Sequence, residues 1–347
     1  MRAASYVSSI LVVAGVLMSG PCSTVDAREP KDAPKNTCEV TSADDSGPGT
    51  LRDCLLNAQN GDVVTFNPAE FPPATPNTIL LYSELPALTS GNIFIDAFGA
   101  GVILDGSATT GSNGLTILSD DNRVRGLEIS GFPMYGIYID GGGNVIDGHL
   151  PDPNEVPAWN IVTGCGTGIG VFGGDPDNNN FIGKNVIGGC DVGIRIAPAD
   201  PQAANHVIVV GNTIGADQIY GSIPNEIGVV VSSDHGHDFK HNHLMNNDVG
   251  IRVESDASLS AMNNCVVGNT TGVSHAGSAI DLDLERNWWG AEDGPSGVGP
   301  GSGDSIELIG TGTVDFVPWL PFECGQDFIF VDTFESGDTS EWSTVVP

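Results

Sequence analysis

One unit recurs along this chain: an Asn, and eight positions later a Gly followed by a β-branched residue. It reads "NIVTGCGTGIGV" from Asn160, "NVIGGCDVGIRI" from Asn185, "NHLMNNDVGIRV" from Asn242 and "NCVVGNTTGVSH" from Asn264. The segment "EISGFPMYGIYI" from Glu128 keeps the spacing without the Asn, and the copy from Asn212 reaches Gly228 only after eight extra residues. Successive Gly sites lie 22–35 residues apart, a period that marks structural repeats.

Each Gly opens an alternating run, such as Ile137-Tyr138-Ile139, Ile194-Arg195-Ile196, Val229-Val230-Val231 or Ile251-Arg252-Val253. Alternation of this kind is a strand with one buried face. The segments between strands are too short, and too rich in Gly and Asn, to be helices. Parallel strands without crossover helices stack only if the chain winds as a solenoid, so the pattern predicts a parallel β-helix. A leucine-rich repeat would need its Leu/Asn consensus, and a propeller would need hairpin signals.

Aligning the copies stacks Asn160, Asn185, Asn212, Asn242 and Asn264 in one column, read here as structural amides bonded to one another. Cys165 and Cys190 fall at one repeat position, one coil apart. Coils spaced by about 4.8 Å bring such Cα atoms within the roughly 4.4–6.8 Å of a disulfide, so a Cys165–Cys190 bridge is expected. At the front, "GTLRDCLLNAQNGD" places Leu51, Cys54, Leu55 and Ala58 on one helical face, with Gly61 as the stop. That helix would cap the first coil, and proximity alone suggests a Cys38–Cys54 disulfide.

The first residues carry Arg2, an apolar run and small residues ending at Ala27, the layout of a secretory signal, and the run is too short to span a bilayer. The expected organisation is therefore a signal over 1–27, a linker over 28–37, the β-helix over 38–297 and a Gly/Pro-rich closing segment with a tail over 298–347. Arg2 and Asp26 cancel, so removal of the signal leaves the formal charge at −32. That balance repels polyanions and excludes nucleic acid as a partner. Carboxylate and carbonyl oxygens suit Ca²⁺, although no loop has EF-hand spacing. Six cysteines follow Ala27, an even count that fits disulfides in an exported chain.

The segment "CEVTSADDSGPGTLRDCLLNAQNGDVVTF", the stretch "VILDGSATTGSNGLTI", the Asn-led coils and the "NWWG…GP" turn resemble exported bacterial right-handed parallel β-helix proteins of the pectate-lyase-like fold. The resemblance covers roughly residues 38–297 and implies an all-β, single-stranded right-handed solenoid with an N-terminal capping helix. It leaves function open, because that fold hosts adhesins, lyases, hydrolases and epimerases. The tail "IFVDTFESGDTSEWS" resembles endings of exported bacterial proteins with a surface or sorting role.

Lyases of this fold hold a uronate carboxylate, usually with Ca²⁺ between clustered acids, and abstract a proton with Arg or Lys. The alignment puts Tyr138, Gly170, Arg195, Val230, Arg252 and Ser274 in one outward column, making Tyr138, Arg195 and Arg252 the ligand-face candidates. The next column holds Asp140, Phe172, Ala197, Ser232, Glu254 and Ala276, with no two acids adjacent. The stretch "DHGHDFKHNH" pairs His235 with His237 and His241 with His243 by alternation, which makes His235, His237 and His241 candidate transition-metal ligands. Against this stands an ordinary polar turn, and His243 shares a column with packing residues. The expected function is a non-catalytic surface or secreted module that binds a carbohydrate or a cell-surface partner. The alternative is a polysaccharide lyase or epimerase.

Overall fold

A computed structural model describes residues 36–148, 159–174, 177–197, 206–217, 221–233, 235–254, 256–278 and 281–322. The signal-like segment, the FESGD tail, Asp234 and Cys324 lie outside those residues.

Consecutive strands pass in turn through three parallel sheets of 11, 8 and 9 strands. Partners within a sheet are thus one full coil apart, and the molecule is a right-handed parallel β-helix. The strand-opening Gly is followed by an inward column: Ile137, Ile169, Ile194, Val229, Ile251 and Val273 pair in register along the third sheet. All six are buried in the core, each contributing about 1.5–3 kcal/mol by leaving water. The insertion in the Asn212 copy forms a small antiparallel hairpin, Ala216–Asp217 against Gly221–Ser222, and the sheets continue past it in register.

Each corner of the solenoid carries polar side chains stacked at the coil spacing. Between the first and second sheets, Asn160, Asn185, Asn212, Asn242 and Asn264 each donate a side-chain N–H to the Oδ1 of the next Asn at 2.9–3.1 Å, the ladder ending on Asn287. Between the second and third sheets run Asn225, Asn247 and Asn269, linked the same way at 3.0 Å. Between the third and first sheets stand Asn122, Asn144 and Asn180. The corners turn the chain away from its strand ladder, and the amides satisfy backbone groups that would otherwise be buried without partners.

The helix spans Leu51–Asn57 and buries Leu51, Cys54 and Leu55 against the first coil, with Thr50 capping it by accepting from Asp53 N–H. It stops at an extended Ala58, three residues before the expected Gly61, which instead takes φ +88° in the turn to the next strand. Cys38 and Cys54 are disulfide-bonded across a Cα separation of 5.7 Å, tying helix to strand. Cys265 is disulfide-bonded as well.

The expected Cys165–Cys190 bridge is corrected: the two sit one coil apart, but both are buried free thiols. Each sulfur leans toward the carbonyl two residues back in its own coil, Thr163 O at 3.4 Å and Gly188 O at 3.5 Å. Side chains held in equivalent orientations repeat at about the coil spacing of 4.8 Å, whereas an S–S bond needs about 2.0 Å. Past Gly297 the winding continues, with Gly303–Leu308 on Thr271–His275 and Val314–Asp315 on Leu282–Asp283.

Candidate functional site

The histidines offered as metal ligands, His235, His237 and His241, do not gather at one site. His237 begins a strand and is buried at the corner between the third and first sheets. Its Nδ1 accepts Val207 N–H at 3.2 Å, the role that Asn Oδ1 plays in neighbouring coils. His241 lies at the far end of the same strand, exposed in the next corner with φ +57°. Four residues of strand put it about 13 Å away. His235, in the approach to the strand, meets Ser233 Oγ through Nδ1 at 3.1 Å. Among the described residues no three His, Cys, Asp or Glu side chains come together as a metal site. His243 faces outward between Thr213 and Cys265, and burial there holds its imidazole below the ordinary value.

The outer face of the third sheet does bring the other candidates together. Register pairs Tyr138 with Gly170, Gly170 with Arg195, Arg195 with Val230, and Val230 with Arg252. Three aromatic rings gather at the upper end. Tyr138 and Phe172 stack at 4.9 Å between centroids and 18°, and Tyr135 meets both edge-on at 5.3 and 5.4 Å. The absent side chain at Gly170 makes this arrangement possible, because a Cβ there would lie 2.7 Å from both the Tyr135 and Phe172 rings. Burial, then Asp140 and Tyr135, raise the Tyr138 phenol, so it stays a hydrogen-bond donor at neutral pH.

Arg195 and Arg252 carry no ion pair or hydrogen bond among the described residues, in contrast to the other arginines on the sheets and cap. Arg52 pairs with Asp45 at 2.6 Å. Arg123 grips Asp147 through two nitrogens, and Arg125 grips Asp96 likewise, with both guanidiniums over the Phe94 ring. Two uncommitted guanidiniums on one face of a chain of formal charge −32 are a local departure from its field. Between them Val230 is 0% exposed, and with Val192 and Ile227 it forms a small apolar cluster separate from the core.

The adjoining column runs Asp140, Phe172, Ala197, Ser232, Glu254 and Ala276, its alignment fixed by backbone bonds such as Ala197 N–H to Val171 O at 3.0 Å and Glu254 N–H to Val231 O at 2.8 Å. Ser232 donates to Glu254 at 2.8 Å. Its two acids are four coils apart, about 19 Å at the coil spacing. Paired-carboxylate hydrolysis needs about 5–9.5 Å. The Tyr135 and Phe172 contributions were missed in the sequence. The signal was Gly170, the one position in its column without a side chain, beside aromatic residues in the columns to either side.

A protein-family profile described as a right handed beta helix region matches residues 113–288. Among solved structures, the A-module of the mannuronan C-5 epimerase AlgE6 of Azotobacter vinelandii shares 11% identity, with 83% of this chain and 87% of that one covered, at a TM-score of 0.42. The pectate lyase Pel9A shares 14% identity over 84% of this chain and 79% of that one, at a TM-score of 0.39. No curated protein matches the chain.

Proposed function

We propose that this chain, which belongs to the right-handed β-helix family, is an exported, non-catalytic carbohydrate-binding module acting at the cell surface or in the medium. The observation that carries this reading is the ring cluster of Tyr135, Tyr138 and Phe172 seated over Gly170, with Arg195, which has no ion pair among the described residues, in the next coil. Aromatic rings offer the apolar faces of a sugar a large contact area, and a polar tip such as the Tyr138 hydroxyl meets its alcohols. A free guanidinium supplies a fork of donors to hydroxyls or to a carboxylate. Arg252 extends the same face two coils further on.

In this reading residues 1–27 are the export signal, 28–37 a linker, 38–297 the main run of the solenoid, and 298–347 the segment that closes it with its last strands, followed by a surface-directing tail. The layout of the first residues supports export, and no helix among the described residues is long and apolar enough to cross a membrane. The separation of Asp140 from Glu254 supports binding over hydrolysis on this face. Calorimetric titration of the purified protein with neutral and uronic oligosaccharides tests the reading. Saturable binding that weakens in Arg195→Ala supports it, and cleavage or epimerisation of any glycan overturns it.

A further inference from the structure

At the corner between the second and third sheets, successive coils present Cys165, Cys190, Asn225, Asn247, Asn269 and Asp304 at one register position. From Cys190 onward each accepts a backbone N–H from the coil before: Cys165 N–H reaches Cys190 Sγ at 3.4 Å, Cys190 N–H reaches Asn225 Oδ1 at 3.1 Å, and Asn225 N–H reaches Asn247 Oδ1 at 3.1 Å, with Asn269 and Asp304 accepting in the same way. The three Asn add a side-chain rung to each step. Asn Nδ2 makes two such bonds where a thiol has a single proton. Two coils in succession therefore give up the amide rung, and in its place two buried sulfurs stack side by side, one coil apart. The glycan-binding face makes no use of them.

We propose that Cys165 and Cys190 form a buried two-sulfur site for a soft monovalent cation of the Cu(I) or Ag(I) kind. Spacing is the first argument. Two metal–thiolate bonds of about 2.3 Å laid end to end span about 4.6 Å. In-register side chains of adjacent coils repeat at about 4.8 Å, so the wall sets the sulfurs at the reach of a linear S–M–S unit.

Donor chemistry is the second argument. Thiolate sulfur selects soft ions. Zn²⁺ in a protein asks for four ligands, and among the described residues no third His, Cys, Asp or Glu joins this pair. Binding displaces both thiol protons and leaves a bis-thiolate complex of one net negative charge, with no change of oxidation state. Both residues are 4% exposed, so the ion would sit beneath the corner and not in open solvent.

The test is an anaerobic titration of the reduced full chain with Cu(I), supplied as its acetonitrile complex, against a chromogenic Cu(I) chelator. One ion per chain should be retained, and retention should fall in Cys165→Ser and in Cys190→Ser by more than the roughly 100-fold that loss of a supporting partner costs. His241→Ala should leave it unchanged, and Zn²⁺ should not be retained. Copper X-ray absorption on the wild-type chain, which requires no variant to fold, should show two sulfur neighbours. Failure to hold Cu(I) against the chelator, equal binding in either Ser variant, nitrogen in the copper shell, or a Cys165–Cys190 disulfide in the protein as isolated would each overturn the proposal.

Discussion

Asn269 meets Asp304 twice: its backbone N–H and its side-chain amide both donate to Asp304 Oδ2 at 2.8 Å. Gly268 N–H adds a bond to Oδ1 at 3.0 Å. Every Asn in this corner column directs its backbone N–H and one side-chain N–H to the following coil, so the column ends best on a group that only accepts. An ionised carboxylate meets that need where another amide would turn a donor toward Gly268. Burial is nonetheless the larger influence on this group and raises the Asp304 carboxyl above its ordinary value.

Asp304→Ala therefore leaves three donors unmatched at the last coil. The expected loss is about 2–3 kcal/mol, within the range for buried unsatisfied groups. Urea unfolding should show a lower midpoint with an unchanged slope.

Asn212→Ala cuts the longest ladder in its middle. Asn185 loses the acceptor of both its backbone and side-chain N–H groups, at 3.0 and 2.9 Å. The predicted cost is about 2–4 kcal/mol. Hydrogen exchange should quicken first in the coils on either side of residue 212, because a solenoid opens by neighbouring repeats.

The pH dependence follows from His243. Its folded-state value is depressed by burial below 6.5, so between that lowered value and 6.5 the unfolded chain binds more protons than the folded one. The neutral imidazole's contribution is thus complete above pH 6.5 and lost as pH falls below it. His243→Gln should flatten the fall in midpoint between about pH 7 and 5 relative to the parent. Equal slopes for the two proteins in that window would contradict the assignment.

Gly170→Val drives a side chain into the space held by the Tyr135 and Phe172 rings. Glycan affinity should drop by about tenfold or more, equivalent to about 1.4 kcal/mol. Because these rings lie outside the core, circular dichroism and melting temperature should change little by comparison.

The solenoid was legible in the sequence because a parallel coil repeats one strand-and-corner pattern, and Gly-Ile spacing reports it directly. The third-sheet columns followed from the same alignment, and the observed register pairs Tyr138, Gly170, Arg195, Val230, Arg252 and Ser274 as the alignment did. The second corner column escaped notice because it mixes Cys, Asn and Asp, so no residue type repeats along it. His237 was misread for a related reason. Alternation in sequence places it beside His235, yet the chain turns a corner there and its ring takes over an amide's role. Cys165 and Cys190 show the limit of Cα spacing as a guide: the backbones approach closely enough for a bridge, while the side chains run parallel.

The most direct test of the account is to titrate the parent protein, Arg195→Ala and Gly170→Val with the same panel of neutral and uronic oligosaccharides, following heat of binding, double-bond absorbance and reducing-end release together. The account predicts saturable binding without cleavage for the parent, weakened at least about tenfold in both variants while the fold is retained. Undiminished binding in the two variants, or cleavage by the parent, would contradict it.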